Sequence, residues 1–347
     1  MLDDTNVLKQ RDPSNALGVA AEQWKQVEFD AAVVDGDYDK RPITKVVVAG
    51  MGGSALAALL AKAWLEQTLT IPFEVVREYD LPAYVDTSTL VIASSYSGNT
   101  EETVGALAEA QQRGAQVGVL AAGGTLVEVA EQQNIARVVV PAGLQPRMAV
   151  LFNLKALVTL LAHFEVVDGS LVDELSRYGQ WLKDESAKWL PEVTTDKNEA
   201  KQWALMATGK TGVFYGGRIT GPVAYKWKIS WNENAKNVSM WNIYPETNHN
   251  EFIGWSSHPV DKPFAVFDLR SSFEHPRILK RFDVSDRLLS GLRPKSIPIN
   301  LAGDSVLAQM LWGSILADFV SIYLAILNGV DPTPVNLIES FKAEMAK

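Results

Sequence analysis

From Lys45 to about His163, short apolar runs alternate with helical stretches, and the runs are continuous rather than apolar at every second residue. Val46-Val47-Val48 leads into a helical pattern from Ser54 to Leu65; Phe73 to Val76, Leu90 to Ala93, Val117 to Leu120 and Arg137 to Val140 follow as further strands. A strand apolar on both faces is one whose sheet is covered by helices on both sides, which predicts a parallel, doubly wound α/β sheet. A weak repeat begins at Gly212-Val213-Phe214-Tyr215-Gly216-Gly217, another strand running into a glycine turn. A helix through Ala224 to Trp231, strands at Phe264 to Leu269 and Ile297 to Asn300, and a long apolar helix complete it. At 347 residues the chain can hold about two domains. The expected organisation is an α/β domain over 1–165, a helical connector over 166–200 and a second α/β domain over 201–347, each domain with a mainly parallel sheet flanked by helices. Between Asp168 and Lys201 the chain is polar and helical without a Gly/Ser/Pro run, so Trp181, Lys183, Asp184, Glu185 and Lys188 are expected on solvated faces.

The segment Ser94-Ser95-Tyr96-Ser97-Gly98-Asn99-Thr100 lies between the Leu90 to Ala93 strand and a helix predicted over Glu101 to Gln112. Hydroxyls at 95, 97 and 100 therefore crowd a strand-to-helix turn that Gly98 lets bend tightly. Such a turn offers unpaired N–H groups and the positive end of a helix dipole, which suits a phosphate. The earlier turn, Gly50-Met51-Gly52-Gly53-Ser54-Ala55, also fits the loose dinucleotide pattern G-x-G-x-x-A. A dinucleotide site, however, needs no second hydroxyl-rich turn after the next strand. Ser54, Ser95, Ser97 and Thr100, with Gly52 and Gly53 allowing close backbone approach, are better matched to one phosphate monoester. Helix capping explains one such hydroxyl readily and several around two glycine turns poorly.

Composition removes several classes. A net charge of -9 disfavours a nucleic-acid partner, and an anionic substrate must find its affinity in local donors. No cysteine means no disulfide, no thiolate zinc site and no cysteine nucleophile, a composition compatible with a reducing cytoplasm. Met1 to Pro13 carries early acidic residues and no apolar core, unlike a secretory signal. Leu307 to Leu327 could suggest a membrane span, but Gln309 and Asp318 interrupt it, so a helix buried in an α/β core is expected. A soluble protein with no membrane partner follows.

The paired turns, Gly50 to Ser54 and Ser95 to Thr100, resemble those of the sugar isomerase (SIS) domain family, and the second half resembles a second SIS domain. Gln145-Pro146-Arg147, Asn232-Glu233-Asn234, Glu246-Thr247-Asn248-His249-Asn250-Glu251 and Ile338-Glu339-Ser340-Phe341-Lys342 resemble the bifunctional phosphoglucose/phosphomannose isomerase branch. The resemblance implies a cytoplasmic homodimer acting on hexose 6-phosphates without a metal or other cofactor. Glu233 would be the base that moves a proton between C1 and C2, a role open to a glutamate whose pKa is raised towards the working pH. His249, reaching the site from the partner subunit, and Lys342 would open the sugar ring. Arg147, always charged, would steady an enediolate oxyanion. A threonine near the C-terminal lysine is tied to mannose tolerance in that branch, and Thr333 is the nearest one here.

Each residue also has a structural alternative. Glu233 could be a surface carboxylate, Arg147 an ion-paired helix-start residue and Lys342 plain surface charge; His163, in an apolar run, reads as packed. Glu246, His249 and Glu251 could hold a metal but lack the H-E-x-x-H spacing. At the level of function, the rivals are an amino-sugar phosphate isomerase and a non-catalytic sugar-phosphate sensor. The sensor reading is weakened by the absence of a basic helix-turn-helix before Lys45.

Overall fold

The computed structural model describes residues 1–34, 36 and 38–345. One compact unit comprises 22–183 and 305–311. Its sheet contains β1 (Lys45–Gly50), β2 (Phe73–Val76), β3 (Thr89–Ser94), β4 (Gln116–Ala121) and β5 (Ala136–Val139), in the order β2-β1-β3-β4-β5 with every ladder parallel. β1 and β3 are buried along nearly their whole length, which is why their sequences are unbroken apolar runs. Small aliphatic side chains form the core on the face covered by the helix Glu101–Gln112. Val47, Ala49 and Val91 meet Ala106 and Ala110, while Ala93 and Val119 lie with Leu107, Leu126 and Ala130. His163, at the end of the helix Val150–His163, is half-buried, edge-on to Phe164 and 3.3 Å from Gly36 O, the packed placement expected of it.

The other unit comprises 1–21, 184–304 and 312–347. Its four-stranded parallel sheet runs β7 (Ser239–Ile243), β6 (Thr211–Gly216), β8 (Phe264–Arg270), β9 (Ile297–Asn300). Here aromatic rings replace the small aliphatics: Phe214 packs on Trp227, Trp231 and Phe267 at centroid distances of 5.0–5.7 Å. β7 has no counterpart in the sequence reading. It is an edge strand whose mixed residues, Ser-Met-Trp-Asn-Ile, are half-buried or exposed apart from Ser239.

Two expectations change. Residues Met1–Ala21 belong with the second sheet's unit, because the fully buried Lys201 draws Asp3 to 2.9 Å and Arg11 donates to Ile326 O at 2.5 Å. Trp181 and Glu185 are half-buried rather than solvated: Trp181 lies edge-on to Tyr178, and Glu185 accepts from Trp312 Nε1 at 3.1 Å. The helix Val306–Asn328 is long and apolar enough to cross a membrane, yet 94% of its most apolar window is buried inside the protein. It is the core helix its composition announced.

Candidate active site

The order β2-β1-β3-β4-β5 makes the gap between β1 and β3 a topological switch point, the place where open α/β sheets leave a crevice. Gly50, the last residue of β1, is paired with Ser94, the last of β3, so both strand-to-helix turns leave the same edge side by side. A Cβ on Gly50 would lie 2.6 Å from Ser94 O, which explains the glycine. The first turn opens the helix Gly52–Leu65, where Gly52 takes a left-handed φ of 48° and Met51 gives no side-chain cap. Gly53 is held by a different constraint: a Cβ there would stand 2.7 Å from Pro146 O and 3.1 Å from Arg147 N. The turn carrying Arg147 is thus packed directly on the first glycine turn. Ser54 is buried, and its Oγ accepts from Tyr96 N–H at 3.0 Å, tying the two turns together.

In the second turn Ser95 Oγ lies 2.7 Å from Thr100 Oγ1 and 3.4 Å from Ser97 Oγ. Ser95 is buried, Thr100 half-buried and Ser97 exposed, so the hydroxyls step outward to solvent. Thr100 is the N-cap residue of the helix Glu101–Gln112 but makes no capping bond. Its hydroxyl faces Ser95 instead, so capping does not explain it, and no side chain caps either helix start. Two residues that sequence reasoning passed over hold this turn in place. Tyr96 Oη donates to Pro141 O at 2.8 Å and accepts from Leu144 N at 3.0 Å, and burial pushes its phenol up, keeping it protonated for the donation. Asn99 Oδ1 accepts from both Thr125 N and Thr125 Oγ1, at 2.9 and 3.0 Å. Arg147 is 1% exposed, and its Nη1 donates to Gln145 Oε1 at 3.3 Å.

Glu233, His249 and Lys342 lie in the other unit. Glu233, half-buried, ends the helix Gly221–Glu233, which is fixed along one stripe. Lys226 Nζ and Ser230 Oγ donate to Asp318 Oδ1 at 2.6 and 2.8 Å, and Asn234 Nδ2 donates to Ser321 Oγ at 2.9 Å. His249 is exposed on a loop pinned at both ends. On one side Asn248 donates to Ser285 Oγ at 2.9 Å and accepts from Arg281 at 3.0 Å. On the other, Glu251 accepts from Tyr215 Oη and from Asn242 Nδ2, the latter at 2.7 Å. Those bonds, with Asn250 donating to Glu246 at 2.5 Å, engage the two carboxylates that would otherwise invite a metal reading. Lys342 is exposed on the helix Asn336–Met345, and its ammonium pairs with Glu339 at 2.9 Å rather than with His249. Thr333 is half-buried and donates its backbone N–H to Asp331 Oδ1 at 2.9 Å. The structure therefore assembles Gly52, Gly53, Ser54, Ser95, Ser97, Thr100 and the Arg147 turn in one unit, but does not bond His249 to Lys342.

Two parallel α/β sheets, the first with a switch point lined by hydroxyls, make a tandem α/β protein suited to an anionic ligand, and comparison with known proteins identifies the family. Residues 41–159 match the SIS domain model, and residues 196–345 match that of the bacterial phospho-glucose isomerase C-terminal SIS domain. A bifunctional phosphoglucose/phosphomannose isomerase of Caldicellulosiruptor bescii is 37% identical over 88% of this chain and 90% of its own. One of the same description from Aquifex aeolicus is 35% identical over 89% and 92%. A solved glucose-6-phosphate isomerase like protein from Thermus thermophilus shares the fold, with a TM-score of 0.65 and 18% identity over 99% of this chain and 98% of that one. The chain belongs to the bifunctional phosphoglucose/phosphomannose isomerase family of tandem SIS-domain proteins, and it is an isomerase.

Proposed function

We propose that this isomerase interconverts glucose 6-phosphate, and mannose 6-phosphate, with fructose 6-phosphate. The observation that carries the reading is the hydroxyl cluster of Ser95, Ser97 and Thr100, drawn away from helix capping at a switch point whose helix starts no side chain caps. Hydroxyls both donate and accept, so they can follow a phosphate through its ionisation states. Backbone N–H groups at the two helix starts add donors and a favourable dipole. Ser54, whose oxygen already accepts from Tyr96 N–H, still has its own proton to donate.

The chemistry is assigned as follows. His249 and Lys342 move the protons that open the hexose ring, His249 acting from a partner subunit in a cytoplasmic homodimer; its exposure in its own chain is compatible with that role. Glu233 takes the proton from C2 of the open aldose and returns it to C1, while the proton of the C2 hydroxyl passes to O1, giving the ketose through a cis-enediolate. The Arg147 guanidinium stabilises the oxyanion as charge develops. The net change moves one proton from C2 to C1 and one from O2 to O1, balanced without a redox partner, and the four side chains named are the only groups the proposal assigns to it.

A coupled assay with fructose 6-phosphate tests the reading, run with and without a strong chelator and detecting both products. Chelator-resistant formation of glucose 6-phosphate and mannose 6-phosphate is expected. Glucose 6-phosphate alone would remove the mannose activity, and neither product would overturn the assignment. In the same assay Glu233→Gln is expected to lower kcat by about a thousandfold with KM little changed, the scale of a lost general base. Unchanged turnover would take the base role from Glu233.

A further inference from the structure

The second sheet has its own switch point. In the order β7-β6-β8-β9 the chain reverses between β6 and β8, whose ends pair at Tyr215 and Asp268. From β6 the chain runs through Gly216-Gly217-Arg218-Ile219-Thr220 into the helix Gly221–Glu233, repeating the strand, glycine turn and helix of the first half. As at Thr100, the N-cap Thr220 makes no side-chain cap; its Oγ1 accepts instead from Gly217 N–H at 2.7 Å. By backbone alone this is a second anion-binding turn.

The turn is already filled. Glu274, four residues beyond β8, is 4% exposed, and its Oε1 accepts from Ile219 N–H at 2.6 Å and from Thr220 N–H at 3.1 Å. A Cβ on Gly217 would overlap the same oxygen, so the glycine is there to let the carboxylate in. The other oxygen, Oε2, is buried with no hydrogen-bond partner among the described residues. A buried carboxylate with one oxygen on two N–H groups of the turn that leads into the helix, and the other unmet, is placed by the turn's demand for an anion.

We infer that the second half retains an anion-binding turn and that Glu274 is its resident anion, closing it so that each chain holds one phosphate rather than two. The count rests on the phosphate role proposed for the first pair of turns; the closure does not.

The test is titration of the full chain with inorganic phosphate by calorimetry, against chloride at equal ionic strength, for the natural protein and Glu274→Ala. One phosphate per chain is expected for the first and two for the second. In chloride the variant is expected to melt about 5 °C lower, with phosphate restoring part of the loss. One phosphate in both proteins, with phosphate raising both melting temperatures equally, would overturn the inference and leave the first site standing. None in the natural protein and one in the variant would support the closure and remove the phosphate role of the first turns. Should Glu274→Ala not fold, Glu274→Gln keeps the shape and an acceptor oxygen without the charge. It is expected to melt lower than the natural protein and to gain no more from phosphate than the natural protein does, and an unchanged melting temperature would overturn the inference.

Discussion

The two halves build the same backbone feature and finish it with opposite side chains. In each, a central strand ends in glycines, turns into a helix and lies next to a strand whose following loop faces that turn. In the first half the loop supplies Ser95, Ser97 and Thr100, hydroxyls bonded chiefly to one another. In the second it supplies Glu274, bonded to the turn itself. The topology thus creates the anion-seeking turn in both places, and a few residues of the neighbouring loop decide its use. Hydroxyls can release one another to meet a ligand, whereas a carboxylate accepts the turn's N–H groups and takes the ligand's place.

Four changes probe that difference. The largest effect is expected in the second half, where the helix Gly221–Glu233 is anchored by the buried pair Lys226–Asp318. Asp318→Asn leaves a buried ammonium short of its counter-charge and should cost about 3–5 kcal/mol in denaturant unfolding. The double change Lys226→Met/Asp318→Leu should recover most of that loss; a single change that proves harmless would show that the pair does not hold the helix. Next comes Gly98→Ala in the first half. It combines a φ of 72° with a Cβ that would overlap Gly123 O, and about 3 kcal/mol of stability should be lost together with sugar-phosphate affinity.

Ser95→Ala/Thr100→Val separates binding from folding. Both partners of the 2.7 Å hydroxyl bond go at once, so the melting temperature should barely move. KM for fructose 6-phosphate should rise by about a hundredfold, since two bonds to a charged group are lost. A large fall in melting temperature with KM unchanged would make these hydroxyls structural.

The smallest effect concerns the amino-terminal segment. Hydrogen bonding to the Lys201 ammonium, foremost, and to Thr195 outweighs desolvation and holds the Asp3 carboxyl below its ordinary value of 3.8. Its folded pKa is depressed, so its stabilisation is complete above pH 3.8 and disappears as the pH falls through the lowered folded value. Asp3→Asn should therefore melt slightly lower than the natural protein at about pH 6, with the gap closing in that acid window. A gap independent of pH would exclude the ion pair as its cause.

Much of the architecture is legible in the chain because burial on both faces writes itself as unbroken apolar runs. Phe73–Val76, Ile297–Asn300 and the helix Glu101–Gln112 have the bounds read from the sequence. β7 was not legible, since an edge strand needs no such run. The hydroxyls of the first switch point were visible as a cluster. The bonds of Tyr96 and Asn99 were not, because their partners Pro141, Leu144 and Thr125 are brought near only by the sheet. Glu274 was invisible for the same reason: its partners lie 54 and 55 residues earlier in the chain. Glu233, His249 and Lys342 drew their roles from resemblance, since a half-buried glutamate and two exposed side chains carry no such signal of their own.

The most direct measurement is a crystal structure of the protein with fructose 6-phosphate bound. The phosphate is expected against the Gly52–Ser54 turn and the hydroxyls of Ser95, Ser97 and Thr100, with Glu274 still seated on Ile219 and Thr220. A phosphate on the second turn, or a bound sugar whose phosphate touches neither turn, would contradict the account.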